Sequence, residues 1–296
     1  MKPRRKNSGF RAFLRRGFRF VFLGVPERRT SVTVSQIRNG SLLVGRRILV
    51  TGGTRGLGAE FVRKFLSEGA SVVFTGSRRE SVDAALVALG ETGRGRVFGL
   101  PADARDVAGA PALVAKAEML LGGPPDSLVA NAGVSLHERS WAVVSEEDWD
   151  VQLDTNLKGT YFLAQAFARR LLAARTAHPT ALPPGCAKIL FLSSERGLYG
   201  DDIPYGLTKA AIVSLTQGLA KSLVGSGVRV NAIAPGVVAT DMTGYDPNGD
   251  LTRPQARGKR VLLAEEIAEV AAFLLSDAAN CISGQVLACN ETNHLR

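Results

Sequence analysis

The chain has 296 residues, long enough for one large α/β domain with a buried core. Its 45% hydrophobic and 22% charged residues are ordinary for a soluble globular protein. The net charge of +10 suggests nucleic-acid binding until it is divided along the chain: residues 1–47 hold 13 Lys/Arg against Glu27 alone, and the rest holds 24 Lys/Arg against 26 Asp/Glu. The body is close to neutral, so nucleic-acid binding by the folded part is disfavoured. Cys186, Cys281 and Cys289 form no Cys-x-x-Cys, and His137, His178 and His294 do not cluster. This points to a reduced, cytoplasmic setting with neither a disulfide framework nor a metal site.

The positive charge belongs to a leader, residues 1–44, set ahead of a domain spanning 45–296. Its first 26 residues carry eight basic side chains and no acid. On a helical wheel Phe10, Phe13, Leu14, Phe18, Val21, Phe22 and Val25 share one side, with Arg11, Arg15 and Arg19 mostly opposite. Three readings stay open: a disordered tail or a start site set too far upstream, an organelle transit peptide, or an amphipathic helix on an anionic membrane surface. A transmembrane span is excluded, because Arg19 interrupts a run that is already too short.

The chain is organised around Ile48–Gly58. The apolar run Ile48, Leu49, Val50 ends in a Gly-rich turn, Thr51 to Gly58. A helical pattern follows, with Leu57, Phe61, Val62, Phe65 and Leu66 at three- and four-residue steps. Strand, turn and helix make the first half of a βαβ unit whose helix N-terminus faces an incoming anion. Glycine suits such a turn because some positions take φ > 0 and a Cβ would hold a pyrophosphate off the backbone N–H groups. A Gly-rich turn alone is weak evidence, since tight strand–helix turns use glycine without any ligand.

Ala70–Thr75 reads as a second buried parallel strand. NAD-selective proteins place a carboxylate at its end for the ribose 2′-OH. Here Gly76 stands there, followed by Ser77, Arg78 and Arg79, and Arg55 sits in the turn. Arginine attracts a 2′-phosphate and can bind it with two hydrogen bonds, so NADP(H) is preferred over NAD(H); loop arginines are otherwise simply solvated. Arg96–Leu100 is a third strand and Ser127–Ala130 a fourth. Trp149–Ala173 is a long helical segment, and Thr176–Pro184 a Pro-rich surface connection carrying His178. Lys188–Leu192 is a fifth strand, ending in Ser193 and Ser194.

Tyr205-Gly-Leu-Thr-Lys209 opens a helix running to about Leu223. Residues at i and i+4 share a helix face, so the Tyr205 hydroxyl and the Lys209 ammonium can approach one point. Bringing a tyrosine from its ordinary pKa near 10 to about 7 needs about 4 kcal/mol of preference for the phenolate. A cation at ~5 Å in an effective dielectric of 20 supplies roughly 3 kcal/mol, so Lys209 is expected to lower the Tyr205 pKa. Tyr-x-x-x-Lys alone is usually a helix-surface pair. Val228–Ile233 is a sixth strand, Asp241–Arg260 a Gly/Pro/charge-rich lid over the substrate, and Glu265–Leu275 the last helix.

Taken in order, Thr-Gly-x-x-x-Gly-x-Gly (Gly52, Gly56, Gly58), Asn131-Ala132-Gly133, Asn156-Leu-Lys-Gly159, Ser194 and Tyr205-x-x-x-Lys209 resemble the single-domain branch of the short-chain dehydrogenase/reductase family, from about Gly45 to Leu287. The resemblance implies a doubly wound parallel sheet of Rossmann type with about seven strands. It implies ketone/secondary-alcohol oxidoreduction with a nicotinamide cofactor, 3-oxoacyl-thioester reductases being the nearest look. Tyr205 is then the acid/base, Ser194 polarises the substrate oxygen, Lys209 also holds the nicotinamide ribose, and Asn156 distorts its helix so that a freed carbonyl holds water. Cofactor contacts are implied for Gly52, Thr54, Arg55, Gly56, Leu57, Gly58, Ser77 and Arg78. They are implied also for Asp103 and Ala104 on the adenine side, for Asn131, Ala132 and Gly133, and for Pro235, Gly236, Val238 and Thr240 around the carboxamide. The partners implied are a small carbonyl or alcohol substrate and further copies of the chain, packed through the helices at 149–173 and 205–223 as a homodimer or homotetramer.

Two departures from the pattern stand out. Ser194 and Tyr205 are eleven residues apart, one or two fewer than in most relatives. Asp201 and Asp202 lie in the shortened stretch, either available to a polar substrate or, the favoured reading, solvated. Cys289-Asn-Glu-Thr stands where relatives end Asp-Gly-Gly, although Ile282–Leu287 still matches their last strand. A cofactor-binding sensor without turnover is the competing function; the complete set Asn156, Ser194, Tyr205 and Lys209 argues against it.

Overall fold

The computed structural model describes residues 40–177 and 187–295; the basic leader ahead of residue 40, His178 and Cys186 lie outside it. Seven strands form one sheet: β1 Arg47–Val50, β2 Ser71–Gly76, β3 Val97–Pro101, β4 Ser127–Ala130, β5 Ala187–Leu192, β6 Val228–Pro235 and β7 Val286–Cys289. Their order is β3-β2-β1-β4-β5-β6-β7, and every pairing is parallel. The helices are α1 Gly56–Ser67, α2 Arg79–Leu89, α3 Ala110–Leu120, α4 Glu146–Leu153, α5 Thr160–Ala177, α6 Pro204–Leu223 and α7 Ala264–Leu275. The doubly wound Rossmann-type sheet expected from the sequence is the fold observed.

Strand alternation divides the core between the two faces of the sheet. Ile48, Val50, Val72 and Phe74 point to the side covered by Phe61 and Phe65 of α1 and Ile267, Ala271 and Leu275 of α7. Leu49 and Val73 point to the other side, with Val114 of α3, Phe167 and Leu171 of α5 and Ile212 of α6. The Phe61 and Phe65 rings stack with centroids 5.9 Å apart, and each such buried side chain is worth about 1.5–3 kcal/mol over an exposed one. The packing begins ahead of the expected boundary at residue 45. Leu43 is fully buried in the first of these clusters, and its N–H donates to the Glu68 carbonyl at 2.9 Å.

Three expected elements differ. The segment expected to be helical over Trp149–Ala173 starts at Glu146, where Ser145 caps it by accepting from the Asp148 N–H, and runs to Ala177. It is not one helix: Asp154–Gly159 is a π-helical turn between α4 and α5. The last strand is Val286–Cys289 rather than Ile282–Leu287, because Gly284, with φ +78°, turns the chain immediately before it. The expected lid keeps a small core of its own, with Leu251 buried against Ala239, Val261 and Leu263.

Candidate active site

The residues singled out from the sequence collect along the carboxyl ends of the strands, the edge where open α/β sheets bind ligands. The turn after β1 is shaped by its glycines. Gly52 and Gly56 take φ +66° and +54°. A Cβ on Gly58 would lie 2.0 Å from the Gly52 carbonyl oxygen, so α1 can start this close to the turn only with glycine there. Arg55 precedes α1 without a side-chain cap, and the first turn holds no acid. The leading N–H groups of a helix so begun are free for an anion. These are the features a dinucleotide pyrophosphate requires, and the residues fit that group.

Asn131 ties β4 to this turn. Its Nδ2 donates to the carbonyls of Thr51 and Gly52 at 2.9 and 3.0 Å, while Thr51 Oγ1 accepts from the N–H groups of Asn131 and Ala132, both at 3.1 Å. Thr54 lies against the end of β2: a Cβ on Gly76 would sit 2.4 Å from its methyl carbon. A larger residue at that strand end would require the Thr54 side chain to shift. Ser77 and Arg78 are exposed just beyond it. Arg55 is exposed too, 3.9 Å from Asp241 across the cleft.

Past β3, Asp103 is held by Arg105. One oxygen accepts the backbone N–H at 2.9 Å, and the guanidinium spans both, which keeps the carboxyl below its ordinary pKa. Asp103 and Ala104 line a cavity of about 550 Å³ with Thr51, Thr75, Ala132 and Thr160, within the size range of small-molecule sites. Gly159, closing the π-turn, lets that helix approach the Ala104 carbonyl, 1.9 Å from where its Cβ would be. At the far side, Pro235 and Gly236 follow β6. The Val238 carbonyl accepts from the Thr243 hydroxyl at 2.5 Å, and the Thr240 methyl faces Gly56, 3.5 Å from a Cβ there. Leu57 turns inward and packs against the core.

The four expected catalytic residues come together through short contacts. Asn156, buried in the π-turn, donates to the Val134 carbonyl at 2.9 Å and accepts its N–H at 2.8 Å. Its Nδ2 also reaches Thr208 Oγ1 at 3.3 Å, and that hydroxyl donates to the Tyr205 carbonyl at 2.7 Å. Lys209 is buried, with Nζ donating to the Leu192 carbonyl at 2.8 Å. Ser193 Oγ donates to the Lys209 carbonyl at 2.8 Å, binding the end of β5 to α6. Ser194 Oγ accepts the Arg196 N–H at 3.3 Å, and its side chain opposes the effect of burial on the Tyr205 hydroxyl.

Two sequence expectations need correction here. Tyr205 is not brought below its ordinary pKa as the spacing suggests; burial, the largest effect, pushes its hydroxyl up against the opposing effects of Ser194 and the Arg196 charge. Burial brings Lys209 itself down to about 8. Asp201 is not a solvated loop charge. Its side chain is 4% exposed and takes both Nε and Nη2 of Arg196, at 2.5 and 2.7 Å; Asp202 is exposed.

Sequence reasoning also missed Glu195. It is buried, accepting from Asn290 at 3.2 Å and from Asn293 at 2.9 Å, so the residue after Ser194 is pinned to the C-terminal turn. The replaced Asp-Gly-Gly ending was the available signal, but it names no partner.

Known proteins resemble this chain. The family profile described as enoyl-(acyl carrier protein) reductase matches residues 52–291. The 3-oxoacyl-(acyl-carrier-protein) reductase of Chlamydia trachomatis is 35% identical over 254 residues, covering 83% of this chain and 96% of that protein. The chain belongs to the short-chain dehydrogenase/reductase family. The 3alpha-hydroxysteroid dehydrogenase of Mediterraneibacter gnavus is 33% identical, covering 83% of this chain and 96% of its own length. Among solved structures, a short chain dehydrogenase from Burkholderia cenocepacia in complex with NADP aligns with a TM-score of 0.73 and 29% identity, covering 85% of this chain and 98% of that one. The 3-ketoacyl-(acyl-carrier-protein) reductase of Brucella melitensis complexed with NADH gives 0.74 and 25%, covering 86% and 100%. The chain is thus an oxidoreductase of this family built for a nicotinamide cofactor.

Proposed function

We propose that this short-chain dehydrogenase/reductase is an NADP(H)-dependent oxidoreductase of ketones and secondary alcohols, with 3-oxoacyl thioesters as the substrate class to try first. The observation that carries the reading is Tyr205 at the carboxyl end of β5 with the buried Lys209 ammonium 5.5 Å from its ring, anchored on the Leu192 carbonyl. When bound, the nicotinamide supplies or accepts the hydride at the carbonyl carbon. The chain's own residues manage the proton. Tyr205 donates its hydroxyl proton to the carbonyl oxygen as that carbon is reduced, and takes it back in the reverse direction. Ser194 donates a hydrogen bond to the same oxygen, favouring the charge that develops there. The Lys209 ammonium, held by the Leu192 carbonyl, stabilises the phenolate, and Asn156 keeps the π-turn open toward it, so that water can return the proton.

NADP(H) rather than NAD(H) is supported by the exposed Ser77 and Arg78 at the β2 end, by the exposed Arg55 in the turn, and by a glycine rather than an acid at position 76. Assembly into dimers or tetramers through α5 and α6 is supported by the exposed Tyr161, Phe162 and Leu207 on those helices. The test is NADPH oxidation across a panel of ketones and acyl thioesters. Turnover of at least one that disappears in Tyr205→Phe supports the reading, and NADPH binding without turnover of any would favour the sensor.

A further inference from the structure

The shortened stretch between Ser194 and Tyr205 is built around one ion pair. Asp201, 4% exposed at its side chain, grips the Arg196 guanidinium through Nε and Nη2 and also accepts the Ile203 N–H at 3.3 Å, immediately before α6 begins. The carboxylate lies against the first turn of that helix. A Cβ on Gly206, the residue after Tyr205, would sit 2.1 Å from the Asp201 carboxyl carbon. With its fork fixed in this way, the Arg196 guanidinium carbon stands 6.0 Å from the Tyr205 ring centroid, about as close as Lys209 Nζ at 5.5 Å.

We propose that Arg196, clamped by Asp201, is a positioning residue that acts through Tyr205 as a second cation at the reacting ring and helps set how readily its hydroxyl gives up a proton. The inference rests on Tyr205 being the acid/base. Two cations flank the ring: Lys209 from α6, anchored on Leu192, and Arg196 from the short 3-10 turn Glu195–Gly197. Tyr199 faces Arg196 as well, and the neighbouring Glu195 turns away to Asn290 and Asn293. Arg196 lowers the Tyr205 pKa against the effect of burial, whereas the anchored ammonium of Lys209 is itself weakened by burial, to about 8. Arginine keeps its charge at any working pH. An opposite charge within about 4–6 Å moves a pKa by about 1–3 units. The Arg196 side chain is 35% exposed and shares its charge with Asp201, so the low end of that range applies.

The experiment replaces tyrosine throughout the full chain with 3,5-difluorotyrosine, which ionises well below tyrosine, and follows the four side chains by fluorine NMR against pH. The Tyr205 signal is assigned by its loss in Tyr205→Phe. Arg196→Met should raise the Tyr205 midpoint by about one unit, with Tyr161 and Tyr245 unmoved. Arg196→Lys should bring it back to within a few tenths of a unit. A midpoint unchanged in Arg196→Met overturns the proposal, as does one that Arg196→Lys does not restore. Should Arg196→Met fail to fold because it strands the buried carboxylate, the same difference is read between Asp201→Asn and the double variant Asp201→Asn/Arg196→Met. The titration needs no substrate. If the midpoint moves while no carbonyl compound is turned over, the electrostatic role stands and the acid/base reading fails. Turnover that depends on Tyr205 with an unmoved midpoint keeps the acid/base reading and removes Arg196 from its role.

Discussion

Lys209 meets Tyr205 across the face of the ring, not at its hydroxyl: Nζ is 5.5 Å from the ring centroid while its hydrogen bond goes to the Leu192 carbonyl. The i,i+4 spacing brings the two side chains to one helix face. The strand end beneath then decides where the ammonium points. In this arrangement burial acts on both groups, holding Lys209 at about 8 and Tyr205 above its ordinary value. Neither is an isolated surface pair, and each can be tested separately.

Tyr205→Phe removes the transferable proton and keeps the ring. NADPH affinity is expected within a few-fold of the unaltered chain, with turnover down by about 10²–10⁴. Fluorescence titration of NADPH and initial rates on the first active substrate check it. Substantial residual turnover would assign the proton to another group.

Lys209 gives a stability signature that does not depend on activity. Its folded pKa of about 8 lies below the ordinary lysine value of 10.5, so between these values the unfolded chain binds more protons and stability rises with pH. The full cost of the buried ammonium, about 3 kcal/mol as an order of magnitude, is present below pH ~8 and fades toward ~10.5. Urea unfolding at pH ~7 and ~9.5 should therefore show the unaltered chain gaining on Lys209→Met as pH rises. Equal changes in both would mean that the ammonium is not buried as described. Measurements stop short of pH ~10, where the raised Tyr205 pKa has the opposite sign: the folded state holds its proton longer, and stability falls.

Arg78→Ala tests cofactor choice. The side chain is exposed beyond β2 and enters no ion pair among the described residues, so its loss should leave the fold intact. If it holds the 2′-phosphate, NADPH binding should weaken by roughly 1.5–3 kcal/mol and NADH binding hardly at all. Calorimetric titration with both cofactors decides between these outcomes, and equal weakening removes Arg78 from the role.

Deleting residues 1–33 should spare both the fold and NADPH binding, because described packing into the core begins at Leu43, with the backbone N–H groups of Leu42 and Leu43 both bonded to Glu68. Light scattering should find the shortened chain in the same dimer or tetramer as the full one. A monomer, or a chain unable to bind NADPH, would make the leader part of the folded unit.

Features written within a few residues of one another were legible from the sequence. The apolar run Ile48–Val50, the glycines after it and the 3.6-residue pattern of Phe61, Val62 and Phe65 specify strand, turn and helix through local sterics and hydrophobic periodicity, and they mark the cleft at the strand ends. The order of Asn131, Asn156, Ser194, Tyr205 and Lys209 pointed to the chemistry through its resemblance to the short-chain dehydrogenase/reductase family. Tertiary structure alone decided what those groups feel. The helix distortion implied at Asn156 takes the form of a π-turn at Asp154–Gly159, but only the fold brings Asn156 to both backbone groups of Val134, 22 residues away. Arg196 and Asp201 look like loop charges in the sequence. They become a clamp beside Tyr205 only when the start of α6 buries the carboxylate, and Glu195 finds Asn290 and Asn293 across nearly a hundred residues. Burial and the direction of a charge are properties of packing between distant segments, and they set the acidity of Tyr205 and Lys209; no spacing along the chain encodes them.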